Sequence, residues 1–358
     1  MPRHGSPQTR VARFLALVAL VLTLSPARAT EPARSGEAPP VKEFLSKTLG
    51  FDASQLAALD RGEVVSRIIE AQGKLNVAVF GVVALNTSRG RFVEQTLDFG
   101  NSLRTPSRVQ FGLMATPATE ADVQGLSLTD QDVKDLKDCK PNDCKLKLPG
   151  ILMQRAHSEV DWSRPDVAKQ VGVFAQKRVV AYANEYRMHG DSALVYENVG
   201  SVKASDAFVA LLAEAQYLPD IQRPMIEYLK QYPRGRLDGV EQAIFWSMDS
   251  LKGLKPTLTV NHEVVYAPAA QPGVTLIASR QIFSDRYLEA MLDLTAVAER
   301  ATPDGKPGIY LLRLRRLRFD RVPTAGPVNI SGKVRNAMRD QMEDDLKHIK
   351  AMAGKSAG

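Results

Sequence analysis

The sequence predicts an α+β fold: an antiparallel sheet, a helical insertion in its middle and an amphipathic helix at its C-terminus. Three observations predict it. An early strand, residues 75–85, is apolar on both faces, which suits a strand covered on two sides. Long β-rich segments return between residues 256 and 320, after a middle stretch with helical periodicity. Val334, Met338, Met342, Leu346 and Ile349 then form one apolar stripe at helical spacing.

The chain opens "MPRHGSPQTRVARFLALVALVLTLSPARATEPA". Arg3, Arg10 and Arg13 precede an apolar run from Phe14 to Leu24, and Ala27-Arg28-Ala29 follows the Ser25-Pro26 break. That is the pattern of a secretory signal cleaved after Ala29, so residues 1–29 are expected to be a signal peptide. The run is too short to span a bilayer. The protein is therefore expected in the periplasm or secreted. Cleavage leaves 329 of the 358 residues and, by removing four arginines and no acid, takes the net charge from +7 to +3. The basic pI therefore does not point to nucleic acid. Residues 30–40 read as a disordered leader, and residues 41–358 as a single α+β domain with a helical insertion at about 150–250.

"VKEFLSKTL" and "DASQLAALD" read as short helices, the second capped by Asp52. "GEVVSRIIE" and "LNVAVFGVVAL" flank Ala71-Gln72-Gly73-Lys74 as a hairpin. Val77, Val79 and Gly81 share one face, and Ala78, Phe80 and Val82 the other. "NTSRGRFVEQTLDF" reads as a helix capped within Asn86 to Ser88, and "RVQFGLMA" as a strand. Ser163 is expected to cap a long helix that ends at Gly190, and Ser205 one that Pro219 follows. "RPMIEYLKQYP" and "DGVEQAIFWSMDSL" read as further helices. "PTLTVNHEVVYAP", "GVTLIASRQIF" and "GIYLLRLRRLRFD" read as strands. "DRYLEAMLDLTAVAER" has helical composition, but its place between two strands favours a hairpin partner. In "LLRLRRLRFDR" the alternation slips at Arg315-Arg316, which predicts a β-bulge with arginines on a solvated outer face.

The segments "LTDQDVKDLKDCKPNDCKLKLP", "GVEQAIFWSMDSLKGLKPTLTVNHEVVY", "IASRQIFSDRYLEAMLDLTAV" and "YLLRLRRLRFD" resemble those of a group of uncharacterised exported bacterial proteins, a likeness that carries no function. The order of elements resembles the helix-grip fold of START-like lipid-binding proteins, in which a curved sheet grips a C-terminal helix over an internal cavity. The resemblance implies a helix-grip-like sheet here, interrupted by the helical middle.

Cys139 and Cys144 are the only cysteines. A metal site, a redox centre and a disulfide are the alternatives. Export, the Pro141-Asn142-Asp143 turn and the lack of nearby ligands favour a disulfide. There is no G-x-S-x-G, no P-loop and no G-x-G-x-x-G, and "HEVVY" carries Tyr266 where a zincin needs its second histidine. No metal or cofactor is expected. Leu258, Val260, His262, Val264 and Tyr266 share one strand face, and Val274, Leu276, Ala278, Arg280 and Ile282 share another. An imidazole or a guanidinium among apolar side chains needs a partner. It is satisfied either by the protein or by the polar end of a ligand. The candidate ligand-binding residues are therefore His262, Tyr266 and Arg280.

These readings favour a protein that holds a lipid or other amphiphile in a cavity gated by the C-terminal helix. The basic run offers peripheral contact with an anionic membrane surface. The alternatives are an envelope enzyme that pairs His262 with a carboxylate, and an accessory envelope protein whose protein partner is unknown.

Overall fold

The computed structural model describes residues 41–355, except 191–193, 216–218, 251–253, 270, 322–323, 326–327 and 330. The expected signal peptide and leader lie outside the described residues. No helix among the described residues is long and apolar enough to cross a membrane.

The N-terminal hairpin forms as expected, from β1 (Val65–Ile69) and β2 (Asn76–Leu85). It is preceded by α1 (Val41–Glu43), a π turn at Phe44–Thr48 and α2 (Ala53–Asp60). Asp52 caps α2 in a full capping box: its side chain accepts from the Gln55 amide, and the Gln55 side chain accepts from the Asp52 amide. Ser88 caps α3 (Arg89–Leu97), which leads through α4 (Phe99–Ser102) into β3 (Arg108–Met114).

The helical middle holds α5 (Asp130–Lys137), α6 (Gly150–Glu159), α7 (Val167–His189), α8 (Ala204–Glu214) and α9 (Pro219–Gln231). The two-residue strands β4 (Val195–Tyr196) and β5 (Val202–Lys203) pair within it. Asp166 and Lys203, not Ser163 and Ser205, occupy the N-cap positions of α7 and α8.

Then come β6 (Val240–Asp249), β7 (Thr257–Tyr266), β8 (Val274–Ser284), β9 (Leu288–Arg300) and β10 (Gly308–Phe319). The helix α10 (Ser331–Lys355) closes the chain. The helix expected over 238–251 is therefore a strand. Ile244, Phe245 and Trp246 are β-formers by shape, and β6 pairs with β3 on one side and β7 on the other. Pairing on both edges overrides the local helical composition.

The eight strands form one antiparallel sheet in the order β1-β2-β10-β9-β8-β7-β6-β3. Residues 115–239, with all the middle helices, are thus an excursion between the neighbours β3 and β6. On one sheet face Phe80, Val82, Leu312, Leu294 and Ala278 pack under the π turn, α2, α8 and α9. Further along it, Ile244, Trp246, Leu258 and Val260 pack under α7. The opposite face carries Val77, Val79 and Leu311 beneath Val334, Met338, Met342 and Leu346 of α10. Gly81 lets that helix approach, because a Cβ there would lie 2.6 Å from Leu346 Cδ1 and 2.8 Å from Met342 Cγ.

The bulge expected at Arg315-Arg316 is absent. Strand β10 keeps one register against β9 until a shift between Arg318 and Phe319. Regular alternation sends Arg313 and Arg315 to the α10 face and Arg316 and Arg318 to the other. None of the four relies on water alone. Arg313 and Arg315 grip Asp293, Arg315 also reaches Asp345 of α10 at 3.1 Å, Arg316 meets Glu214 at 2.7 Å and Arg318 meets Glu289 at 2.6 Å. Arg315 and Arg316 are buried, so the strand does not present the basic run to a membrane surface. Long side chains with fixed charge enter an interior when carboxylates meet them there.

Candidate functional site: an apolar cavity with a buried carboxyl

A cavity of about 310 Å³ lies where α5, α6 and α7 cover the ends of β7 and β8. Its wall is mostly apolar: Leu136, Leu148, Leu152, Phe174, Val179 and Leu194 from the helical middle meet Leu258, Val260 and Phe283 from the sheet. Tyr182 also lines it, its hydroxyl donating to the Ile282 carbonyl at 2.6 Å. Arg155 is exposed at its rim.

Asp285 is the buried polar group of the wall. It sits in the turn from β8 to β9 and is fixed from three directions. Its Oδ1 accepts from the Leu258 amide at 2.9 Å, its own amide donates to the Leu258 carbonyl at 3.0 Å, and its carbonyl accepts from the Lys147 amide at 2.6 Å. Burial pushes its carboxyl up to about 7, against the pull of the Arg286 guanidinium and with the added push of Asp132. Arg286 makes its closer contacts elsewhere: it binds Asp132 and, at 3.1 Å, Asp135, and stands 3.9 Å from the Asp285 carboxyl. Those ion pairs pin α5 to the β8–β9 turn. A carboxyl poised near neutrality can donate a hydrogen bond to a ligand oxygen when protonated, or accept one when ionised.

The disulfide Cys139–Cys144 forms as the spacing suggests. Both cysteines pack in the cluster with Leu136, Leu146, Met153 and Phe174. The bridge braces the segment joining α5 to the cavity wall.

The three candidates expected from the sequence do not line this cavity, although they share its sheet face: Tyr266 and Arg280 lie toward α8 and α9, and His262 lies under Tyr186 of α7 and Tyr232. His262 is fully buried and both ring nitrogens are engaged. Its Nε2 donates to Gln242 Oε1 at 2.8 Å, and its Nδ1 accepts from the Tyr186 hydroxyl at 3.0 Å. The Tyr232 ring packs at 4.5 Å. Burial, with the Arg280 and Arg187 charges, pushes its pKa down to about 3, so the ring is neutral. Arg280 stands opposite it in the register. Its Nη1 donates to the Leu229 carbonyl at 3.1 Å, and its guanidinium lies 3.5 Å from the centre of the Phe208 ring. Tyr266 is buried among the apolar residues under α9.

His262 and Glu263, being consecutive strand residues, point to opposite faces, so an acid–imidazole pair between them does not form. Trp246 is core, its Nε1 donating to the Asp122 carbonyl at 2.7 Å. The gate expected at α10 is not there: α10 packs on the sheet face opposite the cavity. The helices beside the opening are α6 and α7. In the sequence Asp285 is hidden as one acid in "FSDRYL", beside an arginine that looks like its partner. Only the fold shows that Arg286 makes its closer ion pairs with α5, while Asp285, 3.9 Å from it, also lines the cavity.

No family model and no curated protein matches the chain. Several solved structures do. One is the crystal structure of the Zhui aromatase/cyclase from Streptomyces sp. R1128. It is 14% identical, the match covers 43% of this chain and 88% of that one, and the TM-score is 0.23. A likeness at that level carries no argument; the α+β architecture rests on the eight-stranded antiparallel sheet and the helix packed along it.

Proposed function

We propose that the protein is exported and binds a small amphiphile in the cavity beside Asp285. The observation that carries this reading is the combination of an apolar wall of some 310 Å³ with a single buried carboxyl, held 3.9 Å from the Arg286 guanidinium. The volume sets the ligand's size. At about 310 Å³ it stands at the lower end of the roughly 300–1,000 Å³ of small-molecule pockets. The ligand is a medium-chain or single-ring compound, not a two-chain phospholipid. A hydroxyl or carbonyl at its inner end meets Asp285, and its apolar body meets the leucines and Phe174. The helix-grip-like sheet is compatible with ligand binding, and the disulfide supports an oxidising destination.

The test uses the protein expressed with its own leader and purified without detergent. N-terminal sequencing checks cleavage after Ala29. Native mass spectrometry and solvent extraction identify any bound amphiphile, and calorimetry with 1-decanol and decanoate measures binding directly. Decanol is expected to bind, and to bind better than decanoate above pH 7, where two carboxylates would repel. Ala175→Trp on α7 fills the cavity and is expected to abolish binding. If His262→Phe and Arg280→Ala abolish decanol binding while Ala175→Trp does not, the ligand's polar end lies at His262, Tyr266 and Arg280 and the proposed site is wrong.

A further inference from the structure

The charged side chains that line the amphiphile cavity are not evenly matched. Asp132 is held by Arg286, and Arg178 of α7 by Glu159 of α6 at 2.8 Å. Arg155 of α6 and Glu185 of α7 are exposed and enter no ion pair among the described residues. Asp285, 6% exposed, marks the inner end of the cavity, and Arg155 its mouth.

The two arginines of the rim belong together. Arg155 and Glu159 stand one helical turn apart on the same face of α6. Glu159 in turn fixes Arg178, so two guanidiniums flank one carboxylate. Arg178 also has an unmet hydrogen bond. Its Nη2 donates to Glu159, but its Nε is buried and has no hydrogen-bond partner. The Phe174 ring, another part of the wall, holds the guanidinium at 5.2 Å. This part of the rim therefore carries two positive charges, one negative charge and a free N–H, and buried donors are rarely left unmatched. Glu185 stands apart from it, seven residues after Arg178 and so about 10 Å along the axis of α7.

We propose that the ligand of this cavity is a two-ended amphiphile, with an anionic group at its outer end bound by Arg155 and Arg178. The inference rests on the reading that the cavity takes an amphiphile whose hydroxyl or carbonyl meets Asp285. It adds the ligand's class, a medium-chain hydroxy or oxo acid, and its direction, oxygen inward and acid outward. Arg178 Nε donates to one oxygen of the anion, and the Arg155 guanidinium pairs with it. Charge-assisted bonds of this kind are the stronger ones. The anion stays at the mouth, partly in water, so it does not pay the full cost of burying a charge. A fatty alcohol serves only the inner end. A plain fatty acid that reaches the arginines leaves a methyl group against Asp285.

The experiment is calorimetry of the purified chain at pH 6 with three probes that share an inner hydroxyl: 1-decanol, 10-hydroxydecanoate and 10-amino-1-decanol. The hydroxy acid is expected to bind about tenfold tighter than decanol, the effect of one charge-assisted hydrogen bond. That advantage should shrink as sodium chloride is raised, because Arg155 is exposed. Arg155→Gln and, separately, Arg178→Lys, which keeps a cation for Glu159 but has no Nε, are expected to cut the ratio of the two affinities to about threefold or less. A ratio taken on one protein is not moved by partial loss of fold. Equal binding of decanol and the hydroxy acid, tightest binding of the amino alcohol through Glu185, or an undiminished ratio in both variants would overturn this inference and leave the cavity reading standing. No binding of any probe, or binding that Ala175→Trp does not block, would overturn both.

Discussion

Asp285→Asn should make the protein more stable at pH 8 and no more stable at pH 4. Burial raises the Asp285 carboxyl from 3.8 to about 7. The sign follows from which state ionises first. In the unfolded chain the carboxyl loses its proton near pH 4, while in the folded chain it keeps it until near 7. Folding therefore binds a proton between those values, and stability falls as pH rises through that window, becoming level above it. A shift of about three units corresponds to roughly 4 kcal/mol at 1.36 kcal/mol per unit. Asparagine has the same shape, keeps an oxygen to accept from the Leu258 amide, and does not titrate. Glu263, also pushed up to about 7 by burial, contributes the same slope to both proteins and cancels in the difference. The assay is urea unfolding of both proteins at intervals from pH 4 to pH 8, with the m-value checked for constancy. The variant is expected to gain up to about 4 kcal/mol on the wild type across that range. Parallel pH curves would show that Asp285 is not held in a low-dielectric wall, and the cavity argument would lose its polar group.

Other perturbations follow from the same geometry. Gly81→Val places a side chain where Leu346 and Met342 already stand, and should cost about 1–3 kcal/mol in chemical denaturation, with Gly81→Ala milder. Asp293→Asn strips the carboxylate from between two guanidiniums and is expected to lower stability by about 3–5 kcal/mol. Because Asp293 is held well below the ordinary carboxylate range by Arg315 and Arg313, against burial, its contribution is present above pH 4 and fades as acid is added. His262 should show no change in its NMR ring shifts between pH 5 and pH 8, since its pKa is pushed down to about 3. Replacing Cys139 and Cys144 with serine should cost about 2 kcal/mol, the closure entropy of so short a loop, and leave the cooperative fold intact by circular dichroism.

Much of the scaffold is legible along the chain because local rules decide it. Asp52 and Ser88 cap helices wherever such a residue precedes a helical run, and the 71–74 turn links two alternating segments. The stripe from Val334 to Leu346 is apolar because one helical face packs against the sheet. Even the ambiguous 285–300 segment resolves toward strand from its place between two strands. The 238–251 segment misleads, because what makes it a strand is β3, more than a hundred residues earlier, on its other edge. The arginine pair 315–316 imitates a bulge, because alternation counted by hydropathy treats every arginine as solvent-facing. Asp293, Asp345 and Glu214 bring paired charges into both faces, and no local pattern reports them.

The site divides in the same way. By itself the sequence determined which residue types were available: a cysteine pair five apart, a histidine and an arginine on apolar strand faces, and leucines in the helical middle. Such features are legible because a leader pattern, a short disulfide loop or an alternating strand is read over a few residues. Only the tertiary structure decided that His262 is closed off by Tyr186 and Gln242 while Asp285 faces a cavity. It also decided that α10 covers a polar layer and not the apolar cavity. Those outcomes depend on burial, and burial is set by which distant surfaces meet. The same carboxyl is an ordinary surface acid in one packing and a near-neutral hydrogen-bond donor in another.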